Sequence, residues 1–200
     1  MDELNLYRLF KELIKQDPVL QGRFFVAEGY GNDLNANNFE NVIKDALGSI
    51  TDVKKYPVAI LLPPTEMISK GYDWGWSQFR LKMYFLTTTY YQDGSDIKFQ
   101  NTGNNTSESP IKLDWRDMRD VAGLFRINFN DFTRKYTQQA IRENQKVFDH
   151  YERVSNMGND RLSGVSVQFD VDLFIGGVVP NYNIADIDVQ SILSNTNPCN

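Results

Sequence analysis

The sequence predicts an α+β fold: a mainly antiparallel sheet packed against one long helical region, with an extra helix at the N-terminus. Three stretches carry that prediction. In Gly164 to Ile175 (GVSVQFDVDLFI), Val165, Val167, Phe169, Val171, Leu173 and Ile175 point one way and Ser166, Gln168, Asp170 and Asp172 the other. That period of two marks a long strand with one face buried and one wet. Phe79, Leu81, Met83 and Phe85 alternate in the same manner with Arg80, Lys82 and Tyr84, and the run continues to Tyr91 in β-branched and aromatic residues. Between the two strands, Trp115, Met118, Val121, Ala122, Phe125 and Phe129 fall at helical spacing, and the pattern is read as helical from Asp114 to about Ser155. Asn130-Asp131 marks either a break or a fresh cap, so this region is one long helix or a shorter helix followed by a longer one.

The remaining elements follow in order. Leu6, Leu9, Phe10, Leu13 and Ile14 form a helical stripe after Asp2, and the helix is expected to stop before Asp17-Pro18, because a residue preceding proline avoids the α region. Arg23 to Glu28 (RFFVAE) reads as a short strand closed by Gly29 and Gly31. Asn38 caps a second short helix with Phe39, Val42, Ile43, Ala46 and Leu47 on one face. Residues 56 to 62 read as a strand, since prolines on either side of VAILL are tolerated at strand ends. Residues 64 to 77, with two tryptophans and no steady period, read as a structured loop, and the polar stretch 93–110 as a projecting loop or hairpin.

Length and composition bound the rest. A chain of 200 residues, 41% hydrophobic and 24% charged, suits one domain, taken here as residues 1–177, followed by an extended C-terminal arm over 178–200. The N-terminus is acidic and then amphipathic, which reads as a helix and not as a signal peptide. No run of about 18 apolar residues occurs, so no membrane span is expected. The single cysteine, Cys199, cannot form an intrachain disulfide, and the single histidine, His150, rules out chemistry that needs two imidazoles. A net charge of −5 argues against gripping a nucleic-acid backbone, although local basic patches could still face DNA across a wide pore.

Several constellations were weighed for chemistry. Asp170, Asp172, Asp186 and Asp188 offer carboxylate oxygens of the kind hard cations want, but a D-x-D spacing within a strand is more often a solvated face. If the two long strands pair, Arg80 and Lys82 stand opposite Asp170 and Asp172, a charge match worth ~0.2–1 kcal/mol per pair. Glu143, Asp149, His150 and Glu152 are expected along the long helix, as a surface face without the convergence catalysis needs. Trp74 and Trp76 offer an aromatic platform for a sugar or base, or a loop packed on the sheet edge or a neighbour. No phosphate loop is present in Gly29-Tyr30-Gly31. The expectation is a protein without catalytic, cofactor or metal site, whose contact residues are Trp74, Trp76, Arg80, Lys82, Asp170, Asp172, Ile184 and Ile187.

The order of VAILLPP at 58–64, FRLKMYFLTTTYY at 79–91, the helical region from Asp114 and GVSVQFDVDLFI resembles the tail-terminator and tail-completion (neck) proteins of tailed bacteriophages. The likeness covers most of residues 1–176 as an ordering of elements, with longer loops and a longer tail than compact members of that family. The Asn- and Tyr-rich style is similar to structural proteins of podovirus-like phages, the crAss-like group among them. The resemblance implies a virion protein, assembled in the host cytoplasm, that forms a homo-oligomeric ring. Such a ring joins head to tail, meets portal, adaptor or other neck and tail proteins, and passes DNA without reading its sequence. The alternative is a small monomeric ligand-binding or interaction module without catalytic activity, working through the Trp74/Trp76 loop.

Overall fold

The computed structural model describes residues 3–27, 41–42, 45, 55–67, 76–88, 110–137, 141–143, 149–157 and 162–174. Their elements run α1 (Glu3–Gln16), β1 (Phe24–Val26), β2 (Val58–Leu61), β3 (Thr65–Met67), β4 (Trp76–Thr88), α2 (Pro110–Phe132), a π-helical turn (Thr133–Thr137), β5 (Ile141–Glu143), β6 (His150–Met157) and β7 (Leu162–Phe174). The architecture is α+β, with a mostly antiparallel sheet covered on one face by α1 and α2.

The two stretches with the clearest alternation, β4 and β7, pair antiparallel over all thirteen residues, from Trp76↔Phe174 to Thr88↔Leu162. On the outer side of β4 lie β2 and β3, and on the outer side of β7 lie β5 and β6. Beyond β2 comes β1, parallel to it. Because side chains alternate, the register puts Phe79, Leu81, Met83 and Phe85 on the same face as Val165, Val167, Phe169, Val171 and Leu173. That face is the main core. Phe10 of α1 sits at its centre, edge-on to Phe125 and Phe129 of α2 with ring centroids 5.3 Å away in both cases. Such edge-to-face packing adds about 0.5–1.5 kcal/mol per pair beyond area burial.

α1 ends where proline requires. The Asp17 carboxylate accepts the N–H groups of Val19 and Leu20, both at 2.8 Å, and Gly22, at φ +83°, donates to the Ile14 carbonyl and closes the last turn. α2 starts on Pro110, a residue suited to the first helical position, where its missing N–H costs nothing.

The structure corrects several expectations. The helical region does not continue to Ser155: α2 ends at Phe132, and after the π-helical turn the chain supplies β5 and β6. His150, Glu152 and Val154 alternate with Tyr151 and Arg153, a strand period that the helical reading passed over. β6 pairs antiparallel with β7. Glu143, Asp149, His150 and Glu152 accordingly belong to β5, β6 and the residue before it. Thr65–Met67, expected in a loop, forms β3 on the edge of β4. The second short helix is seen only in the helical residues 41–42 and 45; its other residues, like the loop 93–109 and the arm 178–200, lie outside the described residues.

The wet face of the opening stretch is also not wet. Ser166, Asp170 and Asp172 are 2%, 2% and 5% exposed. At the Leu86 end, a second apolar cluster of Val58, Ile60, Leu62, Tyr84, Leu86, Val154 and Leu162 occupies this face. Around Asp170 the cover comes from the Arg80 side chain, and at the Leu86 end Val42, from the helical residues 41–42, joins the second cluster.

Gly164 belongs to the β4–β7 ladder for a steric reason. A Cβ there would lie 2.0 Å from the Phe85 carbonyl oxygen, which belongs to backbone and cannot swing away. Gly164→Ala is expected to destabilise by at least the ~1–3 kcal/mol of an overpacked core, read as a lower urea midpoint at unchanged slope.

Candidate functional site

The face of the sheet turned away from α1 and α2 gathers the charged residues of the two long strands. Trp76, Gln78, Arg80 and Lys82 of β4 stand opposite Phe174, Asp172, Asp170 and Gln168 of β7. Arg80 makes the expected pair with Asp170: Nε donates to Oδ1 at 3.0 Å and the second guanidinium nitrogen to Oδ2 at 3.3 Å. Gln78 Nε2 adds a third bond to Oδ2 at 3.2 Å. The Asp170 side chain is 1% exposed, whereas that of Arg80 is 42% exposed and lies over it. The hydrogen bond to Asp170 raises the Arg80 pKa against the opposing effect of burial, so the guanidinium is a permanent cation.

Lys82 does not pair with Asp172, as the sequence suggested. Its ammonium reaches Glu152 Oε2 at 3.4 Å, a carboxylate contributed by β6. Ser166 donates its hydroxyl to the same oxygen at 3.3 Å, and His150 Nε2 lies 3.4 Å from the other. Burial works against the Lys82 charge, but Tyr84 and Glu152 outweigh it and hold its pKa above the ordinary value. Burial likewise works against the Glu152 charge, and Lys82, Ser166 and His150 outweigh it, so Glu152 sits below its ordinary value. The lysine therefore stays an ammonium and the serine proton points at a carboxylate already tied to that ammonium. The cluster fixes protons in place; it does not hold the lysine neutral as a base.

Helix α2 secures the edge that supplies Glu152. Arg126 is 3% exposed and grips Asp149 with two bonds, Nε to Oδ2 at 2.8 Å and the terminal nitrogen to Oδ1 at 2.9 Å. Its guanidinium lies 3.9 Å from the centroid of Phe169, the stacked and forked use for which arginine is suited. Trp115 donates its indole N–H to the Val154 carbonyl at 2.7 Å, and Arg153 lies over the Trp115 ring at 4.9 Å. Tyr151, packed beside Asp149, has its pKa raised by burial first and by that carboxylate second.

Of the residues singled out from sequence, the structure brings Trp76, Arg80, Lys82, Asp170 and Asp172 to one face. Trp74, Ile184 and Ile187 lie outside the described residues, as do Asp186 and Asp188. The Trp76 ring is engaged edge-to-face with Phe174, centroids 5.4 Å apart. Glu152, Ser166 and Gln78 were missed as members of the cluster, and so were Arg126 and Asp149 as its support. The alternation of His150, Glu152 and Val154 was the signal that could have found Glu152. Nothing local marks the Arg126 to Asp149 pairing across 23 residues. Among the described residues, every buried side-chain nitrogen and oxygen has a partner, and no helix is long and apolar enough to cross a membrane. No family model, curated protein or solved structure matches the chain.

Two outcomes follow for this face. Arg80→Ala leaves the Asp170 carboxylate buried beside Gln78 alone and is expected to cost about 3 kcal/mol, whereas Asp170→Asn, which removes the buried charge, costs less, as equilibrium urea unfolding will show. The lowered Glu152 pKa contributes stability above the ordinary 4.5 that is lost as pH falls through the folded value. The raised Lys82 pKa contributes stability below the ordinary 10.5 that is lost as pH rises through the folded value. Glu152→Gln should therefore flatten both the acid and the alkaline limbs of a plot of Tm against pH.

Proposed function

We propose that this chain is a structural subunit of a ring in the neck or tail of a tailed bacteriophage, joining head to tail around a DNA channel. The observation that carries the reading is the arrangement of its elements. Two long paired strands, one long helix packed on their core face and a shorter N-terminal helix follow the chain order for which the sequence resembles tail-terminator and tail-completion proteins, with β5 and β6 standing where that resemblance had the helical region continue. The second face supports the same reading, because Arg80 with Asp170 and Lys82 with Glu152 neutralise one another within the subunit. A surface whose charges are internally paired presents little field to a passing polyanion, and the net acidic chain adds no attraction. The partners in this reading are further copies of the chain, portal, adaptor or other neck and tail proteins, and DNA passed without sequence recognition, within the virion.

Purified protein, alone and mixed with portal or tail components, is expected to give closed rings in ring-averaged electron micrographs and a multimeric mass by light scattering. A mass that remains monomeric in every mixture overturns the ring. A monomer whose tryptophan fluorescence changes on ligand titration favours the small ligand-binding module instead.

A further inference from the structure

Strand β1 is the last in the sheet order, and among the described residues no strand lies beyond it. It runs parallel to β2, and in that arrangement alternate residues turn their peptide groups toward the partner. The Ala59 N–H donates to the Arg23 carbonyl and the Ala27 N–H to the Leu61 carbonyl, so Arg23, Phe25 and Ala27 face β2. Phe24 and Val26 therefore aim their N–H and C=O groups outward, the template for an added strand. Their side chains leave apolar surface at the same place. Phe24, Phe25 and Val26 are all half-buried, Phe24 and Val26 at the margin of the helix-side core and Phe25 at the margin of the second cluster. The opposite sheet edge differs, since the Trp115 indole N–H is bonded to the Val154 carbonyl of β6.

Charge and sequence name an occupant. Arg8, Lys11 and Lys15 form an exposed basic row along α1, in which Lys15 is 3.8 Å from Glu12, and Lys15 lies against Gly22, two residues before β1. The 26 residues from 175 to 200 contain Asp186 and Asp188 and no lysine or arginine. Within them Ala185, Ile187 and Val189 alternate with Asp186, Asp188 and Gln190, the period of a strand with one apolar face. We infer that residues 185–190 of a neighbouring copy add as a strand to the outer edge of β1, steered there by the basic row of α1. This rests on the ring reading and names its joint.

Phe25 is in register with Ile60, Tyr84 and Ser166, eight residues from Phe174 along β7. The new strand position is thus about 27 Å back along β7 and about 19 Å across the sheet from Phe174, roughly 33 Å in all. A relaxed eleven-residue connection spans about 18 Å and a fully extended one about 36 Å, so the chain's own segment reaches this edge only when drawn nearly straight, and the assignment to a neighbouring copy rests on the ring reading. A heterologous joint that passes one segment to the next copy also closes a ring by rotation.

The test uses the full chain. Val26→Pro removes an outward N–H and leaves the β1–β2 ladder intact; Ile187→Asp with Val189→Asp spoils the apolar face of the added strand. Each is expected to raise the concentration for half-assembly at least tenfold by light scattering, with circular dichroism unchanged. Assembly of the parent chain should also weaken with added salt. With Cys199→Ser, Gln21→Cys and Asp188→Cys in one chain, a short bis-maleimide is expected to give a ladder of cross-linked multimers on a denaturing gel. Only an intramolecular product, or no product, overturns the docking. Rings undiminished in both assembly variants overturn the docking and leave the ring reading standing, whereas a parent chain that never assembles overturns both.

Discussion

The full-length antiparallel ladder between β4 and β7 is the constraint on which the rest of the structure depends. Thirteen residues in register commit every odd position of both strands to the helix-side core and every even position to the other face. A slip of one residue would send Phe79, Leu81, Met83 and Phe85 to the polar side and Arg80 and Lys82 into the core, so the register is specified over its whole length. Gly164 sharpens that specification. Only a residue without Cβ fits against the Phe85 carbonyl, which fixes where along β4 this part of β7 can lie.

Once the ladder is set, the two cores and the polar cluster follow from it. Phe169 reaches the aromatic group that Phe10, Phe125 and Phe129 build from α1 and α2, and so ties both helices to the middle of β7. On the opposite face Asp170 meets Arg80 directly across the pair and Gln78 on the diagonal. A buried ion pair of this kind adds little net stability over an apolar pair of the same shape. Its contribution is to penalise wrong registers, in which the aspartate would be buried without its arginine. The Arg126 fork has the same logic at the level of tertiary structure: stacked on Phe169 and bonded to Asp149, it ties α2 to the chain just before β6 and hence to the position of Glu152.

What was legible in the sequence was what repeats within a few residues. The alternation of β4 and β7, the stripe of α1 ending at Asp17-Pro18, and the first part of α2 could all be read, because periodicity and proline act locally. The opposition of Arg80 to Asp170 also followed, once the two alternations were set side by side. The second half of the long helical reading failed for a related reason. Phe132, Tyr136, Ala140, Val147 and Tyr151, at steps of four, four, seven and four, mimic a helix, and the shorter alternation from His150 to Val154 decides the matter only when β7 stands beside it to be paired. β3 escaped notice because three residues carry no period at all.

The sequence by itself determined the α+β class, the two long strands and which residues share a face of each, since these depend on side-chain alternation along one stretch of chain. Only the tertiary structure decided that Asp170 and Asp172 are buried, that Lys82 answers to Glu152 and not to Asp172, and that α2 stops at Phe132, bonds β6 through Trp115 and holds the residue before β6 through Arg126. Those outcomes depend on which strands lie beside β4 and β7. Neighbours in a sheet are chosen by hydrogen bonds and packing between segments far apart in the chain, and no local pattern encodes them.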